Sequence, residues 1–239
     1  MIFSGKLNII MHYTLDMHGD AVLFVYCRKR RRDKSENTNI VGLAGDCCFF
    51  TACGTEKTMQ TEVAVIYEED QKNVLPAGIA ELPVILTSAG QSIDLYVVQT
   101  LLKKGEVECE IKELLTAEEL KNYKTLVLAL GGSAKGLAAA GVTLEEELER
   151  IRSLISEAEK QEMTIITLHI GGSSRRGKVS DQFLPDALMA ADAAVIVSEG
   201  DFDGKIDEIL TEYGVPACYV EHQIDAVEPL KVLFGKNVE

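Results

Sequence analysis

The sequence predicts an α/β protein built on a three-layer, doubly wound parallel sheet, flavodoxin-like or Rossmann-like, and three observations carry that expectation. From Leu82 onward, short apolar runs alternate with segments of helical period. The connections between successive runs are long enough to require crossovers, so the strands pair in parallel and helices cover both faces. One run alone alternates in charge, with Val107, Cys109 and Ile111 on one face and Glu108, Glu110 and Lys112 on the other. A strand buried on both faces does not carry three charges, which puts this second strand at an edge. Of the two common orders, 3-2-1-4-5-6 leaves the third strand outermost and 2-1-3-4-5 the second. The expected order, counted within residues 82–239, is therefore 2-1-3-4-5-6.

The elements follow in turn. Pro83 to Thr87 is the first strand, and Gln91 to Lys103 a helix with Ile93, Val97 and Leu101 along its apolar face. Val107 to Leu114 is the second strand, followed by a short helix at Ala117 to Asn122 and the third strand at Thr125 to Leu130. The longest helix, Thr143 to Lys160, opens with Thr143 and Glu146 at capping-box spacing. Thr164 to Ile170 and Ala193 to Ser198 are strands four and five, separated by a helix near Asp181 to Ala190. A helix at Ile206 to Tyr213, a sixth strand at Pro216 to Val220 and a helix at Ala226 to Phe234 complete the domain.

Residues 1–80 show no sustained period and read as an N-terminal extension with little packed structure, ending in a charged linker around Glu68-Glu69-Asp70. Ala21 to Cys27 is too short to span a bilayer, which takes about 20 residues. A second reading competes. The basic run Arg28 to Arg32, the apolar run Ile40 to Phe50 and Thr51-Ala52-Cys53-Gly54 come in the order of a lipoprotein signal, with Cys53 as the lipidated residue. Asp46 interrupts the apolar run, and nearly thirty residues precede the signal, so the pattern is degraded. With that lipobox in use, the chain is exported and anchored in the membrane through Cys53; without it, the chain is cytoplasmic.

The formal charge of −14 argues against a nucleic-acid partner. Cys27, Cys47, Cys48, Cys53, Cys109 and Cys218 form neither a disulfide framework nor zinc knuckles, and His12, His18, His169 and His222 lack ligand spacing, so no metal is expected. The acidic loop Glu199, Asp201 and Asp203 reads as a solvated turn, with a mixed carboxylate metal site as the lesser alternative.

Chemistry concentrates where strands open into small polar loops: Thr87 to Ser92 (TSAGQS), Gly131 to Gly136 (GGSAKG) and Gly171 to Gly177 (GGSSRRG). The first two flank the point where the chain reverses direction across the sheet, the usual ligand crevice of open α/β sheets. Ser88, Gly90, Gln91, Ser92, Gly131, Gly132, Ser133, Lys135, His169, Gly171, Gly172, Arg175 and Arg176 are the candidate binding residues. Glycines let amides approach a ligand closely, and the cations, with Lys178, suit an anion. The expected function is binding of a small anionic metabolite at this switch point. The dinucleotide fingerprint and the P-loop ending are both missing, and no aromatic stands in the loops to stack on a flavin, so no cofactor is assigned. The alternative is a hydrolase or transferase in which Ser88, Ser92 or Ser133 works with His169, oriented by Asp94 or Asp181; no G-x-S-x-G elbow singles out a nucleophile.

The segments LPVILTSAGQS, LGGSAKGLAAAG and HIGGSSRRGKVSDQF resemble the landmarks of an uncharacterised bacterial domain-of-unknown-function family, over about Leu82 to Gly235. The resemblance implies a Rossmann-like domain, usually exported behind a signal sequence, with no activity to carry over.

Overall fold

The apolar runs read from the sequence become strands because each can be covered on both sides. In the computed structural model, which describes strands Leu7–Leu15 and Ala21–Lys29 and residues 74–236, six parallel strands form one sheet. They are β1 (Val84–Ala89), β2 (Cys109–Ile111), β3 (Thr125–Leu130), β4 (Thr164–His169), β5 (Ala193–Val197) and β6 (Ala217–Val220), in the order β2-β1-β3-β4-β5-β6. β1, β3 and β5 are buried along their whole length. β2 is an edge strand, as its charged face requires, but pairs over only three residues of the eight expected. Its neighbours Glu108 and Lys112 fall outside the strand.

Alternation along the interior strands divides the core into two layers. Ile85, Leu126, Leu128, Ile165 and Ile196 pack against Ile151, Leu154, Phe183, Leu188 and Leu210. These last come from α3 (Leu144–Lys160), α4 (Leu184–Met189), its approach, and α5 (Lys205–Tyr213). On the opposite face Val84, Leu86, Val127, Ile166 and Val195 meet Leu95, Val98, Leu102, Leu230 and Leu233, from α1 (Asp94–Lys104) and α6 (Val227–Leu233). The result is the three-layer α/β fold that the sequence predicts.

Two local differences matter for the site. The helix after β1 starts at Asp94, not Gln91, so Ile93 precedes the first turn and stays 71% exposed instead of joining the apolar face. A helix absent from the sequence expectation, α2 (Ala134–Ala140), follows β3; the Ser133 hydroxyl caps it by accepting from the Gly136 amide. The capping box of α3 forms as expected, Thr143 with Glu146.

The end of the expected linker is tied to the domain. Gly78 and Ala80 donate to carbonyls of Val232 and Leu233, and the Thr164 hydroxyl donates to Ile79 O. Separately, Leu7–Leu15 pairs antiparallel with Ala21–Lys29, Leu7 opposite Lys29, a hairpin that the sequence does not announce. Cys53 and the rest of the expected signal lie outside the described residues. No helix among the described residues is long and apolar enough to cross a membrane.

Candidate functional site

The loops after β1 and β3 do more than flank the switch point: their backbones pair across it. Gly131 N donates to Ala89 O, Ser133 N to Gly90 O, and Gln91 bridges Gly132. Gln91 sits at φ +57°, a left-handed conformation that costs a side-chain-bearing residue about 1 kcal/mol or more. Its own amide offsets that cost, Nε2 donating to Glu113 O and to both carboxylate oxygens of Glu147.

Glu147 is the buried anchor of this region. Fully enclosed on the first turn of α3, it also accepts from Gly90 N at 3.0 Å and from Arg150 Nε and Nη2 at 2.8 and 2.7 Å. Arg150 continues to Thr87 Oγ1, Leu115 O and Ser88 O. A carboxylate this deep persists only with paired charge and full hydrogen bonding, and here it has both. Sequence reasoning passes over it, although Glu147 stands one turn ahead of Ile151 on the stripe that continues through Leu154, Ile155 and Ala158. An acid heading an apolar stripe is the signal that locates it.

The third loop brings a cation back across the sheet. From beyond β4, Arg175 reaches past β3 to Asp94 at the start of α1, its Nε donating to Asp94 Oδ2 at 2.8 Å. Gly171 makes room, since a Cβ there would lie 2.0 Å from Arg175 Cγ and 2.5 Å from Asp94 Oδ2. The Arg175 carbonyl is pinned as well, accepting from the Ser180 hydroxyl and, at 3.3 Å, from His169 Nε2. Ser180 Oγ in turn accepts from Gly132 N. Among the described residues no hydrogen bond engages the two Nη groups of Arg175, whose side chain is 22% exposed.

His169 is wholly buried, and a carbonyl only accepts, so Nε2 carries the proton toward Arg175 O. Among the described residues Nδ1 has no hydrogen-bond partner, and it faces Gly200, where an added Cβ would lie 2.5 Å away. Burial lowers the His169 pKa, reinforced by the Arg176 charge and opposed by the Arg175 carbonyl and Asp94, so the ring is neutral at pH 7.

Arg176, expected beside the ligand, is spent internally. Its Nε donates to Asp181, Nη1 to Gly200 O and Asp203, and Nη2 to Asp203, while its guanidinium lies 5.0 Å over the Phe202 ring. Burial works against its charge, but the Asp203 and Asp181 hydrogen bonds outweigh that and raise its pKa. Through this pairing the loop after β4 is fastened to the loop after β5. Gly172 is buried beside Glu199, which accepts from Ser173 Oγ. Asp201 caps α5 through the amides of Ile206 and Asp207. The three carboxylates of the acidic loop thus have separate structural partners.

The fold therefore brings Ser88, Gly90, Gln91, Ser92, Gly131, Gly132, Ser133, His169, Gly171, Gly172, Arg175 and Arg176 to one edge of the sheet, and leaves Lys135 exposed on the first turn of α2. The serine hydroxyls do not meet the histidine. Ser88 Oγ accepts from Ser92 N, Ser92 Oγ from Asp94 N and Ser133 Oγ from Gly136 N. A hollow of about 500 Å³ lined by Val74, Gly214, Val215 and Pro216 opens at the opposite edge, ahead of β6, and touches none of these residues.

No curated protein matches the chain. Among solved structures, AlinE4, an SGNH-hydrolase family esterase, is similar at 11% identity over 63% of this chain and 80% of that one, with a TM-score of 0.29. A mutant of the esterase AlinE4 is similar at 13% identity over 64% and 82%, with a TM-score of 0.28. Superposition this loose says nothing of the chemistry at the present site. The model of the Domain of unknown function (DUF6305) matches residues 81–234, well over half of the sequence, and the chain belongs to that family.

Proposed function

We propose that this domain binds a small anionic metabolite at the carboxyl edge of the sheet, with Arg175 as the principal anion contact. One observation carries the reading: among the described residues the Arg175 guanidinium is fixed by Asp94 through Nε alone, its backbone is pinned by Ser180 and His169, and both Nη groups stay unclaimed. An arginine held in this way has already lost its rotamer freedom, so a carboxylate or phosphate gains two parallel hydrogen bonds at low entropic cost. The ligand lies outside the paired loops. The amides of Gly131 and Ser133 and the Gly90 carbonyl are engaged with one another, and the side chain of Arg175 supplies what the closed backbone does not.

Lys135 plays a lesser part, because an exposed, solvated ammonium contributes at most about 1 kcal/mol to such a contact. The hydrolase alternative needs Ser88 or Ser133 against His169, and that histidine instead supports the Arg175 carbonyl.

The test is a thermal-shift screen of phosphorylated sugars, nucleotides and dicarboxylates, since a ligand that binds only the folded state raises its stability. For the best hit, Arg175→Ala should weaken binding by about 1.5 to 3 kcal/mol, roughly ten- to hundred-fold. Because that change strands Asp94, the pair Asp94→Asn with Arg175→Ala serves as a folded control and should show the same loss. Lys135→Ala should weaken binding only a few-fold and Lys160→Ala not at all. Unchanged affinity in both Arg175 variants removes the proposed site, and ester turnover in the parent that is lost in His169→Ala would favour the hydrolase instead.

A further inference from the structure

The surroundings of Arg175 say what kind of anion would fit. Among the described residues, Ile93, Tyr96, Leu114, Phe202 and Ile224 are exposed large apolar or aromatic side chains that all follow the carboxyl end of a strand: β1, β1, β2, β5 and β6. The central strands β3 and β4 are followed by Lys135, Arg175 and Lys178 instead. The edge therefore carries cations at its middle and single exposed apolar or aromatic side chains on both sides, interspersed with the exposed carboxylates of Glu113, Asp203 and Asp225.

Two of these residues are linked to the arginine site through one intervening residue. Ile93, 71% exposed, precedes Asp94, which holds Arg175; Phe202, 68% exposed, stacks on Arg176, which follows Arg175. The line Ile93, Asp94, Arg175, Arg176, Phe202 crosses the sheet from the β1 loop to the β5 loop, three strand spacings or about 14 Å. Neither apolar group is needed for the core. Ile93 lies ahead of the α1 stripe that packs inward, and Phe202 stays exposed although the Arg176 guanidinium stacks on its ring.

Resting on the anion-binding reading above, we infer that the ligand is a single-chain amphiphile, whose anionic head is held by the free Nη groups of Arg175 and whose apolar chain lies on Ile93 or Phe202. Charge complementarity selects the head: Asp94 and Asp203 are already paired with Arg175 and Arg176, and among the described residues no other carboxylate pairs with Arg175. The exposed side chains select the chain, since Ile93 or Phe202 loses apolar area from water when a ligand held at Arg175 carries an alkyl tail that reaches it.

The experiment uses the full chain and titrates inorganic, methyl, butyl and octyl phosphate by calorimetry, each below the concentration at which octyl phosphate forms micelles. Each methylene that leaves water tightens binding about fourfold, so octyl phosphate should bind at least tenfold tighter than methyl phosphate. Ile93→Ser and Phe202→Ser are surface changes, checked for folding by melting; at least one should lower the octyl-to-methyl ratio threefold or more. Equal affinity for methyl and octyl phosphate overturns this inference and leaves anion binding standing. No binding of any of the four overturns this inference, and anion binding falls with it when the dicarboxylates of the screen above also fail to bind. Octyl affinity that survives in both serine variants places the chain elsewhere and overturns the assignment, as does preference for vesicles of phosphatidylglycerol with no chain-length dependence for the monomers.

Discussion

Replacing Glu147 by alanine tests whether the buried carboxylate organises the switch-point loops. In the parent it accepts from Gly90 N, Gln91 Nε2 and both Arg150 Nε and Nη2, with no exposure of its own side chain and 13% for that of Arg150. Truncation leaves the guanidinium with only Thr87 Oγ1, Leu115 O and Ser88 O, and removes the acceptor of the Gly90 amide. Breaking a buried pair by deleting one partner costs about 3 to 5 kcal/mol, a large part of a domain's total of roughly 5 to 15. At about 2 to 4 °C per kcal/mol for a domain of this size, Tm should drop by roughly 6 to 20 °C. Urea titrations followed by circular dichroism give the free energy directly. The comparison is Glu147→Leu with Arg150→Met, which removes both charges and should recover more than half of the loss, because an apolar pair of similar volume is nearly neutral in such a place. A Glu147→Ala protein within about 1 kcal/mol of the parent, or a double variant no better than the single, would refute the reasoning.

Further outcomes follow from the same geometry. Gly171→Ala should cost about 1 to 3 kcal/mol in urea titration, because the new methyl group meets Arg175 Cγ and Asp94 Oδ2, and it should weaken anion binding at least tenfold. For His169 the folded pKa lies below the unfolded value of about 6.5. No cost therefore arises above that pH; as pH falls below it, the unfolded chain takes up a proton that the folded chain refuses, and stability declines by up to about 1.4 kcal/mol per pH unit until the folded pKa is reached. Urea midpoints at pH 7.5, 6.5 and 5.5 should show this decline in the parent and a flatter profile in His169→Gln. Arg176→Lys loses the fork that holds Asp181, Asp203 and Gly200 O, so the Gly177 amide, bound to Asp181, should exchange hydrogen faster while amides of β3 do not.

The order of the sheet was legible because it depends on local chemistry. Glu108, Glu110 and Lys112 mark an edge wherever the rest of the chain goes, and the unbroken apolar runs mark interior strands. The cap of α3 was legible for the same reason, Thr143 and Glu146 being three residues apart. Short-range reading failed where a few residues decide the outcome. Gly131-Gly132-Ser133-Ala134-Lys135-Gly136 looks like loop, yet one serine hydroxyl caps a seven-residue helix; and the start of α1 at Asp94 turns Ile93 from a core residue into a surface one.

From the sequence alone, then, follow the fold class, the strand order and the gathering of small polar loops at one edge, because periodicity of two or 3.6 residues is a property of neighbouring residues and the charged face of one strand selects between the two common orders. Which loop residues are free for a ligand was decided only by the tertiary structure. Gly90 meets Glu147 across 57 positions and Asp94 meets Arg175 across 81, and no local period encodes such pairs. Arg175 and Arg176 stand side by side in the chain and look equivalent there. Packing gives Arg176 two carboxylates and a carbonyl, and gives Arg175 one carboxylate and two unclaimed Nη groups, because the three loops close around them from strands that the chain visits far apart.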